Sequence, residues 1–196
     1  MAYNWAGNIR FSEARRVIPN TVEELCLFVR QADHIRARGS THSFNRVADT
    51  TNIACLMHNM PVVARVNHDS STVTASAGMT YGDLSTLLHS EGLALHNMAS
   101  LPHISIAGAI ATGTHGSGNR NGALHTAVRS MDVVMPDGSL ERIKAADGDR
   151  FNGSLVGLGL GGIVTEVELA VEPTYEVAQV VYPEFPRSLL RQKFER

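Results

Sequence analysis

The first quarter of the chain carries a helical pattern followed by a short alternating run. Apolar residues recur at helical spacing between Val22 and Val29, and a capping residue stands just before them with a glutamate three positions on. This pattern predicts an amphipathic helix that ends near Ala32. A strand at residues 35–37 and a glycine turn follow, so we expect a small α/β lobe over residues 1–58.

The middle of the chain alternates apolar and polar positions, as strands do. Residues 72–77 predict one strand, and a helix that begins at Thr80 follows with leucines on one face. Residues 128–134 and 140–143 flank a Pro-Asp-Gly turn signal. The two runs therefore predict a hairpin.

A last alternating segment completes this second region. Residues 163–171 place apolar side chains on one side and threonine or glutamate on the other, which predicts a strand with one wet face. We expect residues 59–174 to form a larger, mainly antiparallel sheet lobe with helices on one side, so that the fold class is α+β. The pattern then predicts one more strand, at residues 175–182, which leaves the domain.

Composition narrows the functional classes. The chain has 196 residues, with 17 basic residues against 19 acidic ones and no basic cluster, so neither nucleic acid nor a membrane surface is an expected partner. No apolar run is long enough to span a bilayer, and the N-terminus does not resemble a signal peptide. Cys26 and Cys55 lack a CxxC spacing, which favours free thiols in a reducing compartment. We expect a cytoplasmic protein.

A histidine lies within a glycine- and hydroxyl-rich turn that follows the first predicted strand. Such a turn lets consecutive backbone N–H groups converge on an anion, and glycine permits close approach of a ligand. The imidazole adds a nucleophile. An ordinary strand-to-helix turn is the alternative. The residues expected to grip a pyrophosphate are Ala37, Arg38, Gly39, Ser40, Thr41, His42 and Ser43.

A second segment, residues 105–111, predicts a short helix of small residues, capped by Ser105 and ended by Gly113. Small side chains allow a flat ligand to approach closely, and tight packing in a core is the alternative.

Three other motifs do not support the sites that they would suggest. Residues 157–162 match GxGxxG, but a β-rich run follows the glycines where a dinucleotide fingerprint needs a helix. No Walker lysine follows any glycine run. His103 and His115 have no carboxylate or thiol nearby in sequence, so we expect no metal site.

Several of these segments resemble one family. The sequence GSTHSFN at residues 39–45 is similar to the flavin-linking segment of the vanillyl-alcohol-oxidase (PCMH-type) FAD-binding domains. Residues 97–118 resemble the second flavin-contacting loop and helix of the alditol (xylitol) oxidases within that family. Residues 158–165 and 4–8 extend the likeness, which is more distant to the aldonolactone oxidases.

The resemblance implies an FAD cofactor, covalently linked through His42 to the flavin 8α-methyl group. It implies that Ser100, as the catalytic residue, lies against the isoalloxazine and the bound polyol, and that Val164 meets the adenine end through its backbone. Thr41 occupies a position that is often glycine or arginine in relatives, and a β-branched residue narrows the backbone there. The other implied FAD contacts are Ser105, Gly108, Thr112, Gly113, Thr114 and His115.

The implied activity is oxidation of the C1 hydroxyl of alditols such as xylitol and sorbitol by dioxygen, giving an aldose and hydrogen peroxide. Residues 1–58 and 59–174 would be the two FAD-binding lobes, and residues 175–196 the start of a truncated substrate domain. The chain alone is then expected to be inactive, with a partner chain as another source of the substrate domain. An aldonolactone oxidase or dehydrogenase, and a non-catalytic FAD-binding module, remain as alternatives.

Overall fold

The computed structural model describes residues 3–193. A three-stranded parallel sheet with one helix against it forms the first lobe, in the strand order β1-β3-β2. Its elements are β1 (Arg15–Val17), α1 (Val22–Arg30), β2 (Ile35–Arg38) and β3 (Ile53–Leu56). The predicted helix is confirmed: Thr21 is its N-cap, Glu24 N–H donates to the Thr21 hydroxyl, and Leu25 is buried.

The second lobe is a five-stranded antiparallel sheet in the order β4-β5-β9-β7-β8, joined by a two-stranded pair of β6 and β10. Its strands are β4 (Ala64–Asn67), β5 (Thr72–Ser76), β6 (Leu93–Ala94), β7 (Val128–Val134), β8 (Leu140–Lys144), β9 (Ile163–Ala170) and β10 (Glu172–Pro173). Its helices are α2 (Tyr81–Ser90), α3 (Ile106–Ala111) and α4 (Asp149–Leu155), and a short α5 (Leu190–Lys193) follows. The α+β class with one α/β lobe and one antiparallel lobe is confirmed.

Local signals account for these elements. Thr80 caps α2 by accepting a hydrogen bond from Asp83 N–H, and Gly138 adopts φ +79° in the turn between β7 and β8. The glycines of residues 157–162 follow a helix and precede β9, the reverse of the dinucleotide-binding order.

The two faces of the large sheet differ. Buried apolar residues from α2, α3 and α4 pack against one face, and the helices therefore lie on one side, as predicted. The other face carries a polar network in which Arg142 pairs with Glu168. At one end of that face Val134 and Ile163 join the core beneath α1, which fixes the two lobes together through apolar contact.

An irregularity in β9 directs one side chain towards the space between the lobes. The register of β7 and β9 shifts between Asp132 and Val133, where two residues of β9 oppose one of β7. Such a bulge changes which face the following residues occupy. Val164 consequently packs on the helix side of the sheet, whereas Ile163 joins the first lobe's core.

The strand predicted at residues 175–182 is wrong. These residues are exposed and form neither strand nor helix. A strand needs a hydrogen-bonding neighbour, and within residues 3–193 none lies beside this segment.

No helix in the described part of the chain combines the length and the apolar character needed to cross a bilayer.

Candidate functional site

A cleft of about 260 Å³ lies where the two lobes meet. Its walls come from the end of β2 and the following loop, from α3, and from the segment before β9. The expected site residues that line it are Ala37, Arg38, Gly39, Ser40, Thr41, His42, Ser43, Ser105, Gly108, Thr112, Thr114 and Val164. The expected residues Ser100, Gly113 and His115 do not line it.

The turn after β2 and helix α3 meet through small groups. Ser105 N–H donates to the Ser40 hydroxyl at 3.0 Å. A Cβ atom at Gly39 would collide with Ser105 Oγ, and one at Gly108 would lie 2.7 Å from the same oxygen. Ser105 is the N-cap residue of α3, but its hydroxyl makes no capping hydrogen bond, which corrects the expected cap. The hydroxyl instead occupies the space that the two glycines leave.

His42 belongs to a cluster of three mutually contacting rings with Trp5 and His103. The Trp5 ring stacks on the His42 ring at 5.2 Å between centroids with an interplanar angle of 25°, and the His103 ring lies 4.7 Å from it. His42 Nδ1 is 3.1 Å from Ser40 Oγ, while Nε2 is buried and has no hydrogen-bond partner among the described residues. Burial, and next the neighbouring His103, lower the pKa of His42 below its ordinary value of 6.5. The imidazole is therefore neutral near pH 7.

The N-terminal segment fixes the histidine turn from outside. Asn4 is buried, and its Nδ2 donates to Ser43 O at 3.1 Å. Trp5 N–H donates to Thr41 O at 2.9 Å. These bonds hold Thr41 at φ +62°, a left-handed conformation that is uncommon for a β-branched residue.

Arg38 and Arg36 lie two positions apart on β2 and have different surroundings. The Arg38 guanidinium is buried, pairs with Glu13 at 3.1 Å and lies over the Phe11 ring. The hydrogen bond from Arg38 is the main cause that lowers the pKa of Glu13 to about 2. Neither Glu13 nor Phe11 lines the cleft, whereas Arg38 does, and its Nε and Nη1 atoms have no hydrogen-bond partner among the described residues.

Arg36 contacts both lobes. Its Nε donates to Val47 O at 2.5 Å and its Nη2 donates to Leu158 O at 2.7 Å. Arg36, Val47 and Leu158 all line the cleft. The guanidinium thus joins the first lobe to the segment before β9.

The three expected residues outside the cleft lie close to it in sequence. Gly113 follows α3 with φ +65°, as expected of a residue that ends a helix. The Nδ1 atom of His115 is 2.9 Å from Gly116 O, and the ring is exposed. Ser100 is exposed and stands three positions before His103.

Sequence reasoning did not assign site roles to Trp5, Arg36, His103 or Leu158. Trp5 lay within a segment of family resemblance, and His103 was weighed only as a metal ligand. Arg36 is a basic residue in the strand that leads into the turn, and this position is a signal for its role. No sequence signal indicated Leu158, because its carbonyl matters and its side chain does not.

The cleft fits the FAD that the sequence implies. The backbone N–H groups of residues 40–43 donate to no other group within the described part of the chain, so they are free to bind an anion. Gly39 and Gly108 add no side chains to the walls of the cleft, and Ser40, Thr112 and Thr114 contribute hydroxyl groups.

Comparison with known proteins gives the same identification. Residues 14–144 match the family described as FAD binding domain. An alditol oxidase from Streptomyces sp. is 43% identical over 186 residues, covering 93% of this chain and 45% of that protein. A putative D-arabinono-1,4-lactone oxidase from Neurospora crassa is 33% identical over 179 residues, 89% of this chain and 32% of its own length. The L-gulonolactone oxidase of Mus musculus is 29% identical over 192 residues, 95% of this chain and 44% of its own length.

The chain spans less than half the length of these relatives. The family match covers both sides of the cleft, from before the histidine turn to β8. The chain therefore belongs to the FAD-binding-domain family, and over most of its length it is similar to the corresponding part of an alditol oxidase.

Proposed function

We propose that the complete protein oxidises the C1 hydroxyl of an alditol, such as xylitol or sorbitol, with dioxygen to give an aldose and hydrogen peroxide. The supporting observation is the 43% identity to an alditol oxidase across 93% of this chain. FAD, when bound, supplies the two-electron chemistry that takes a hydride from the alcohol carbon and passes the electrons to dioxygen.

The cleft residues bind and orient this cofactor. We assign the pyrophosphate to the free N–H groups of residues 40–43, assisted by the Ser40 hydroxyl. Gly39 and Gly108 let the turn pack directly against α3 so that both line the cofactor cleft, and Val164 meets the adenine end. Thr112 and Thr114 supply hydroxyls along the same wall, and Gly113 and His115 remain proposed contacts beside them.

His42 forms the covalent link in this proposal. Its imidazole is neutral, held in one plane by Trp5 and His103, and so is a competent nucleophile. Attachment replaces one C–H bond of the 8α-methyl group and one imidazole N–H bond with a C–N bond. The two hydrogens and their electrons pass to dioxygen, which leaves as hydrogen peroxide.

Ser100 is the proposed contact to the polyol. It is exposed and lies three positions before His103, which contacts His42. Three residues of extended chain reach about 10 Å, so Ser100 lies within reach of the His42 end of the cleft. The polyol itself requires the substrate domain, which a continuation of residues 175–196 or a partner chain would supply.

Acid precipitation of the full-length protein tests the covalent link. The wild-type pellet should stay yellow, the His42→Ala pellet should be colourless, and the exposed His58→Ala control should resemble the wild type. A colourless wild-type pellet with flavin in the supernatant would reject the covalent link and retain the FAD site.

A second candidate is an aldonolactone oxidase or dehydrogenase, favoured by the relatives at 33% and 29% identity. Peroxide release by the full-length protein on xylitol, sorbitol and an aldonolactone separates the two. Flavin binding without turnover of any of them would favour a non-catalytic FAD-binding module.

The free thiols of Cys26 and Cys55 support a reducing, cytoplasmic location.

A further inference from the structure

The cleft has two ends that helix α3 separates. Ser105, at the N-terminus of α3, meets Ser40 and thereby the His42 turn. At the other end, Leu158 N–H donates to Ala111 O at 3.1 Å, and Leu158 O accepts the hydrogen bond from Arg36. Six residues of α-helix span about 9 Å. Arg36 therefore lies at the end of the cleft away from His42.

The Arg36 contact depends on an uncommon backbone conformation. Leu158 adopts φ +52°, in the left-handed region that a branched side chain rarely enters. In this conformation its N–H faces α3 and its carbonyl faces the first lobe. Two hydrogen bonds hold it, one with each lobe, so Leu158 and Arg36 together border this end of the cleft.

The charge of Arg36 is also unusual in its surroundings. Arg38 is paired with Glu13, although its Nε and Nη1 atoms have no hydrogen-bond partner among the described residues, whereas Arg36 makes no ion pair with any described carboxylate and contacts two carbonyl oxygens only. A guanidinium without a carboxylate partner beside a cleft attracts anionic ligands. The FAD phosphates are the anions that the proposed function places in this cleft.

We propose that Arg36 determines the affinity for the adenylate half of the dinucleotide. It borders the cleft at that end beside Leu158, and its uncompensated charge favours the adenosine-side phosphate of the pyrophosphate, whose other proposed contacts are the N–H groups of residues 40–43. This inference rests on the proposed FAD site, and it predicts that Arg36 affects ADP binding and leaves the flavin end unaffected.

The experiment uses the full-length protein carrying His42→Ala, so that ligands exchange freely. Kd values for ADP, FMN and FAD are measured by calorimetry for Arg36→Ala, Arg36→Lys and a matched control, Arg65→Ala. Arg65 pairs with Glu166 away from the cleft. Arg36→Ala should weaken ADP and FAD about tenfold, the loss expected for one charge-assisted contact. Arg36→Lys should lose less, and FMN should change less than twofold.

Two results would overturn the inference. Either ADP affinity stays within twofold in Arg36→Ala, or ADP and FMN lose affinity by the same factor, which would make Arg36 a general support of the fold. Thermal unfolding identifies a misfolded Arg36→Ala protein, and Arg36→Lys then decides: a loss of affinity that is larger for ADP than for FMN supports the inference, and an equal loss or none for ADP overturns it. If the parent protein binds neither FAD nor ADP, the proposed function fails, whereas normal FAD binding by every variant defeats the Arg36 inference alone.

Discussion

The two ends of the cleft are built in different ways. At one end a neutral histidine contacts a tryptophan and a second histidine, and the N-terminal segment holds its turn by backbone hydrogen bonds. At the other end a charged arginine joins the lobes through carbonyl oxygens. Stacking fixes the plane of a ring that must react, whereas a charge suits the retention of an anion. The difference separates a role in chemistry at His42 from a role in binding at Arg36.

In the chain, Gly39 lies between Arg36 and His42, and changing it should affect both ends of the cleft. In Gly39→Val the new side chain collides with Ser105 and separates the turn from α3. We expect FAD affinity to fall about a hundredfold, with ADP and FMN both weakened, because overpacking of this kind costs about 1–3 kcal/mol. Calorimetric titration measures the loss. Gly153→Val, where no atom lies within 4 Å, is the control; unchanged binding in Gly39→Val would mean that the turn and α3 need not touch.

The Glu13–Arg38 pair should carry the stability of the turn that connects the two ends. Glu13→Gln leaves a buried guanidinium without its counter-charge, and we expect a loss of about 3 kcal/mol in the free energy of unfolding at pH 7. The pKa of Glu13 is lowered in the folded state, so the wild-type advantage is present above the ordinary value of 4.5 and disappears as the pH falls towards about 2.

Urea unfolding across that pH range measures the effect, with the exposed Glu176→Gln variant as control. A difference between wild type and Glu13→Gln that does not shrink on acidification would contradict the assignment.

Trp5 should act at the His42 end only. Trp5→Ala removes the stacked ring, and we expect covalent attachment to slow by up to about tenfold, because an aromatic pair contributes about 0.5–1.5 kcal/mol. ADP affinity should stay within twofold. The measurement is the fraction of flavin retained in acid precipitates over time after FAD is added to the apoprotein. Trp5→Phe keeps an aromatic ring and should attach flavin at close to the wild-type rate; a weakened ADP affinity in Trp5→Ala would break the division between the ends.

Of these predictions, the substitution of Thr41 should have the smallest effect on the protein. Its φ of +62° is strained for threonine and ordinary for glycine. Thr41→Gly should therefore raise the free energy of unfolding by no more than about 1 kcal/mol and leave flavin attachment intact. Thr41→Val keeps the β-branching and should give no gain, as measured by thermal unfolding. A clear destabilisation of Thr41→Gly would show that the threonine side chain supports the turn.

Much of the fold was predictable where local signals and long-range packing agree. The Thr21 and Thr80 caps, the Gly138 turn and the alternation in β9 each predicted the observed element, because hydrogen bonding within a few residues decides them. The segment at residues 175–182 has the same alternation and forms no strand. Alternation describes two unlike faces, but a strand also requires a neighbouring backbone.

By itself, the sequence determined the element types outside residues 175–182, the two lobes and the histidine turn, since these follow from side-chain periodicity and from where glycine and capping residues stand. Only the tertiary structure decided which side chains meet in the cleft. It brought Trp5 and His103 to His42, paired Arg38 with Glu13 while Arg36 reaches Leu158, and used a bulge in β9 to turn Val164 towards the cleft. Contacts between residues far apart in the chain depend on strand register and lobe packing, and a local pattern carries no information about either.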